Sequence, residues 1–138
     1  MKTKSIILAT IAGTIVLFGL GYLFYIVILG NFDLTIKSIA KIERDPIVFP
    51  AIILMEITYA FLISFIFNKW AGISTFYTGL KAGAFIGLLI GLSVGLEYYA
   101  TTYLLSTKGV LLNALTFAIR FGIAGGVIAF ILGMERVE

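Results

Sequence analysis

The chain has 138 residues, 61 % of them hydrophobic and only 12 % charged, with a formal net charge of +3. A soluble domain is about a quarter charged, and no water-soluble core of this length could hide so much apolar surface, so the composition is that of a membrane protein. The absence of cysteine and histidine excludes disulfides, thiol nucleophiles, haem and iron–sulfur ligation and the usual zinc and copper sites, so no cofactor and no metal are expected.

The first apolar run covers residues 5–29 and follows Lys2 and Lys4. It is longer than the apolar region of a secretory signal, and no small-x-small cleavage site closes it, so it is expected to stay as a membrane span. The connector NFDLTIKSIAKIERDP places Lys37, Lys41 and Arg44 on one helical face and Ile36, Ile39 and Ile42 around the other. That pattern predicts an interfacial amphipathic helix over about 33–44, stopped by Pro46, rather than a solvated connector.

A second span is expected over residues 47–67, with Glu56, Tyr59, Ala60 and Ser64 forming an inward stripe. The loop NKWAGIST follows, with Trp70 where an indole would sit at the interface. The third span, 79–103, carries Gly79, Gly83, Gly87, Gly91 and Gly95 at every fourth position, then Glu97, and closes on Tyr98, Tyr99 and Tyr103 as an aromatic belt. A tight turn, STKG, leads into the fourth span, 110–133. The predicted fold is therefore all-α: a four-transmembrane-helix bundle with a short interfacial helix between helices 1 and 2, as one integral membrane domain over 1–138.

Apolar attraction between helices is nearly absent in lipid, so small residues that let backbones approach become the packing device. A step of four residues advances about 400°, so the glycine row winds by about 160° over its length. Its partner must cross at an angle, or two partners must use its two ends. The candidates are the Ala9, Gly13 and Gly21 side of the first helix and Gly122, Gly125, Gly126 and Ala129 of the fourth. A path for a small substrate and a homodimer seam are the alternatives.

Three ionisable residues fall at membrane depth: Glu56, Glu97 and Arg120. Hydrocarbon solvates none of them, so all three are expected to face inward. Ser93, Glu97 and Thr101 form one polar stripe, and Asn113, Thr116 and Arg120 another. Counted at about 1.5 Å per residue from the same side, the depths are about 9 Å for Glu97, 13 Å for Glu56 and 16 Å for Arg120. The long arginine side chain could join all three heads in one layer. Two carboxylates against one guanidinium would leave one negative charge for a proton or a cation to neutralise. Glu97 stands about 200° around from Gly95, which places the third span at the centre, packed on two faces.

The segment GLKAGAFIGLLIGLSVGLEYYATTYLLSTKG, with Asn113 near the start of the next run, resembles small four-span bacterial membrane proteins grouped in families of unknown function. The likeness lies mainly in the second half of the chain. It implies a bacterial inner-membrane protein and brings no activity or catalytic residues with it. Small multidrug transporters also have four short spans and a membrane carboxylate, but theirs lies in the first span, where this chain has no acid.

The functional expectation is a non-enzymatic accessory or assembly component with an internal Glu/Arg clasp. The alternative is a small proton- or cation-linked transporter using Glu56 or Glu97, and a lipid enzyme ranks last for want of any catalytic motif. Expected partners are the lipid bilayer and either a homo-oligomer or a larger membrane complex. The small, scattered positive excess argues against nucleic acid. Basic residues near the span ends favour both termini in the cytoplasm, with Lys2, Lys4, Lys69, Lys81 and Arg136 on one side and Lys37, Lys41, Arg44 and Lys108 on the other.

Overall fold

The computed structural model describes residues 3–24, 48–102 and 105–137. The expected interfacial helix over about 33–44, the end of the first span beyond residue 24, and Tyr103 lie outside the described residues. Within them the chain folds as four helices long and apolar enough to cross a membrane.

Helix α1, Thr3–Tyr22, buries Ser5, Ala9, Gly13 and Leu17, an i, i+4 stripe, with Ile6 beside it, and turns Ile7, Ile11 and Ile15 outward. Helix α2, Phe49–Phe65, begins with a proline in its first turn, where a missing N–H costs nothing. It runs on as a π-helical turn, Ile66–Ala71, so half of the expected NKWAGIST loop is helical. Gly72 ends it with φ 61°, a left-handed conformation that suits glycine, and the N–H of Ile73 donates to the Phe67 carbonyl at 3.0 Å. Trp70 is 76 % exposed at this end, where an interfacial indole belongs.

Helix α3, Phe76–Thr101, starts from Thr75, whose hydroxyl accepts from the N–H of Thr78. Helix α4 covers Thr107–Val137. Here Ser106 acts as the cap: its hydroxyl accepts the Gly109 N–H at 3.1 Å and its carbonyl the Val110 N–H at 2.9 Å. STKG is thus the start of α4 rather than a turn, because a serine before a helical run satisfies donors that a loop would leave to water.

Gly13 of α1 lies against Ile128 of α4 and Ala60 of α2. Gly79 of α3 lies against Gly125 and Ala129, and Gly95 against Val110. Both α1 and α3 therefore run antiparallel to α4, and the starts of α1 and α3 share one end of the bundle with the ends of α2 and α4.

The hub is α4. Of its apolar spanning stretch 61 % is buried, against 28, 22 and 28 % for the other three spans in chain order. The buried core gathers Ala9 and Leu17 from α1, Ala60, Ile63 and Phe67 from α2, and Phe117, Phe121, Ala124, Ile128 and Leu132 from α4. Among the described helices, α3 packs extensively on α4 alone. This corrects the expectation of a central third span packed on two faces.

All five glycines of the α3 row are buried, and all face α4, against Ala129, Gly125, Phe121, Phe117, Ala114 and Val110 in turn. Both helices present rows of period four, so α4 can follow the winding row from end to end and no second partner is needed. The fourth-helix candidates Gly122, Gly125, Gly126 and Ala129 all meet α3, whereas Ala9, Gly13 and Gly21 of α1 turn to the core, to α2 and to α4.

Candidate functional site

Arg120 stands on the side of α4 turned to α1 and α2, and its residue is 2 % exposed. Its Nη2 donates to Oε1 of Glu56 at 2.5 Å and to the Leu17 backbone carbonyl at 3.2 Å. One guanidinium so ties α4 to both α1 and α2. Glu56 is equally buried, and a charged pair in apolar surroundings persists only when its partners are close and well aligned. The two N–H groups of that one nitrogen reach both acceptors, and the guanidinium stays charged where a buried lysine would readily lose its proton.

Local sequence makes room for this arrangement. A Cβ on Gly21 would sit 3.2 Å from Arg120 Nη2 and 3.6 Å from Cζ, so the missing side chain leaves the space the guanidinium fills. The Phe117 ring lies 5.7 Å from Cζ, within cation–π range. Tyr59, half-buried, sets its ring edge-on to Phe117 at 6.2 Å and to Phe121 at 5.0 Å. It contributes an aromatic wall beside the pair.

Glu97 does not join. Gly87 lies against Phe117 and Phe121, so Arg120 is level with about position 87, and Glu97 stands ten residues further along α3, about 15 Å away along the axis. It is exposed, with Ser93 and Thr101 exposed on the same stripe. The expected three-headed layer is therefore a pair. The reason is geometric: the glycine row commits one face of α3 to α4, and no helix among those described packs extensively on the opposite face. Glu97 is also one turn from the helix end, about 6 Å, where a carboxylate can reach the headgroup layer and no desolvation penalty drives it inward. Tyr98 and Tyr99 are half exposed beside it, as an aromatic belt requires.

The remaining polar residues serve the helices. The Asn113 side chain donates to the Gly91 carbonyl at 2.9 Å, bridging α4 and α3. The hydroxyl of Thr116, which is buried, donates to Leu112 O, and that of Thr101 to Glu97 O, both at 2.7 Å within their own helices. Ser64 is fully buried on the Glu56 stripe, and its hydroxyl has no hydrogen-bond partner.

A cleft of about 350 Å³ adjoins the pair. Phe18, Tyr22, Phe49, Ile52, Met55 and Phe117 wall it, and Glu56 and Arg120 also line it. Its mouth is set by Tyr22, Phe49 and Met55, all roughly half exposed on the lipid-facing surface. Sequence reasoning singled out neither this cleft nor the Leu17 carbonyl. Only Gly13 and Gly21 hinted at them, two glycines spaced around Leu17 on one face of α1.

The second carboxylate oxygen, Oε2 of Glu56, is buried and has no hydrogen-bond partner. Among the described residues no group of acids could hold a metal ion. The site therefore offers one compensated charge pair, one unused acceptor and an apolar cleft. The fold and the pair define an integral membrane four-helix bundle with an internal Glu–Arg link. No protein-family model, no curated protein and no solved structure matches the chain.

Proposed function

We propose that the protein is a non-enzymatic accessory or assembly component of a bacterial inner membrane, in which Glu56 and Arg120 clasp α1, α2 and α4 into one rigid unit. The observation that carries this reading is the closure of the guanidinium on Glu56 and on the Leu17 carbonyl inside the bundle. A carrier needs groups that exchange between two sides of the membrane, whereas this pair is buried at the junction of three helices. Among the described residues, Ser93, Glu97 and Thr101 are exposed on the outer face of α3, the face on which further membrane partners would dock. Lys4, Lys69 and Lys81, all exposed at one end of the bundle, support placing both termini in the cytoplasm.

A proton- or cation-linked carrier is the second reading, favoured by the cleft beside Glu56. Reconstitution into liposomes with a trapped pH dye, paired with gentle extraction from native membranes, separates the two. The accessory role predicts no Glu56-dependent proton flux and migration in a stoichiometric complex with another membrane protein. Migration alone together with flux abolished by Glu56→Gln would overturn it.

A further inference from the structure

Opposite the glycine row, α3 carries a second row of period four. Lys81, Phe85, Leu89, Ser93 and Glu97 stand two residues out of step with the glycines, about 200° around the helix. All five are exposed, Phe85 by 63 % and Leu89 by 48 %. Because α3 packs extensively on α4 alone among the described helices, this face stands clear of the described bundle. Lys81 and Glu97 each lie about one turn from an end of α3. Lys81 rests over the Tyr77 ring at 4.6 Å, and among the described residues neither charge has an opposite partner.

The row is complementary to itself read backwards. Lys81 and Glu97 lie eight residues to either side of Leu89, and Phe85 and Ser93 lie four to either side. A second α3 laid antiparallel, Leu89 on Leu89, sets Lys81 of each copy against Glu97 of the other and the bulky Phe85 against the small Ser93. The charges then fall about 12 Å from the crossing point, where long side chains bridge the splay of two helices crossing on their four-residue ridges. A parallel copy would instead set Lys81 on Lys81, Glu97 on Glu97 and Phe85 on Phe85, which adds two repulsions and a clash.

Antiparallel helices at one interface require the two copies to be inserted in opposite directions. By sequence, five basic residues (Lys2, Lys4, Lys69, Lys81, Arg136) flank the spans on one side and four (Lys37, Lys41, Arg44, Lys108) on the other, a bias too small to force one orientation on every copy. We propose that the outer face of α3 is the seam of an antiparallel homodimer centred on Leu89, with two Lys81–Glu97 pairs across it. One copy carries both termini in the cytoplasm and the other is inverted. The inference deepens the accessory reading by naming what first docks on α3. It uses neither Glu56 nor Arg120, so the proton-flux experiment bears on that reading and cross-linking bears on this one.

The test uses the full chain, which has no cysteine of its own, in the bacterial membranes that express it. Leu89→Cys should form a disulfide-linked dimer on mild oxidation. When differently tagged copies are expressed together, Phe85→Cys should link to Ser93→Cys, and neither should link to itself. With Leu89→Cys as reporter, Lys81→Glu or Glu97→Lys alone should lower the dimer yield about tenfold, and the two reversals combined should restore it. Trp70→Cys, at an end of the bundle where residue 70 is 76 % exposed, should react with a membrane-impermeant maleimide in about half of the copies in intact spheroplasts.

No link through Leu89→Cys would overturn the proposal, and Phe85→Cys linked to itself would do so by showing a parallel pair. A yield indifferent to both reversals would leave the face to lipid or to another protein, and labelling of Trp70→Cys in all copies or in none would exclude opposite insertion. Either result contradicts the antiparallel dimer. The cysteine links keep both charges in place, so they decide even where a reversal impairs insertion.

Discussion

Replacing each α3 glycine by alanine should give a graded response set by what the new methyl group meets. At Gly83 and Gly87 an added Cβ would overlap the backbone carbonyls of Phe121 and Phe117. A carbonyl within a helix cannot swing aside, so α3 and α4 must separate by about 1 Å, which forfeits a quarter to a half of the dispersion energy at the contact. Overpacking of this kind costs about 1–3 kcal/mol, against a gain of about 0.8–1.0 kcal/mol from replacing glycine in a helix. The net expectation is a loss of up to about 2 kcal/mol at each site. At Gly95 the nearest atom is Val110 Cγ1 at 3.3 Å, a side chain that can yield. Gly95→Ala should therefore be close to neutral. Gly19 has nothing within 4 Å, and Gly19→Ala should stabilise by up to about 1 kcal/mol.

Unfolding of the purified protein by sodium dodecyl sulfate in mixed micelles, followed by circular dichroism, measures the series. The expected order of stability is Gly19→Ala, Gly95→Ala, wild type within error of the second, then Gly87→Ala and Gly83→Ala. If Gly83→Ala were as harmless as Gly19→Ala, the close approach of α3 to α4 would be refuted.

Two further outcomes follow from the site. Glu97→Gln should leave the unfolding midpoint of the isolated protein unchanged in the same assay, because the carboxylate is exposed and takes no part in the internal pair; a marked loss would return Glu97 to the interior. Gly21→Val should destabilise by about 1–3 kcal/mol by pressing on the guanidinium, and the loss should shrink in an Arg120→Met background, where the longer, planar head is gone.

The apolar runs are long enough, and their charges sparse enough, that four spans could be read directly, and the observed helices differ mainly at their ends. Those ends turned on local chemistry: the Ser106 cap moved the start of α4 to Thr107, and the π-helical turn carried α2 on to Ala71. The glycine row announced a close contact but not its partner, since small residues occur on both α1 and α4. Pairing of Glu56 with Arg120 was legible because neither lies near a helix end and neither could be left in oil. The same reasoning failed for Glu97, one turn from the end of α3, where position along the span decides whether burial is forced. Gly21 and the Leu17 carbonyl were hidden for another reason: a backbone acceptor leaves no mark in sequence, and a glycine reveals what it faces only when the helices are in place.

The central claim is that Glu56 and Arg120 hold α1, α2 and α4 together as one coupled pair. A double-mutant cycle with Glu56→Gln, Arg120→Met and the two combined, read as unfolding free energy in mixed micelles, tests it most directly. Each single change strands a buried partner and should cost about 3 kcal/mol or more. The double variant should cost little more than either single one, giving a coupling of about 2 kcal/mol or more. Losses that simply add, to within about 0.5 kcal/mol, would show two independent side chains and contradict the account.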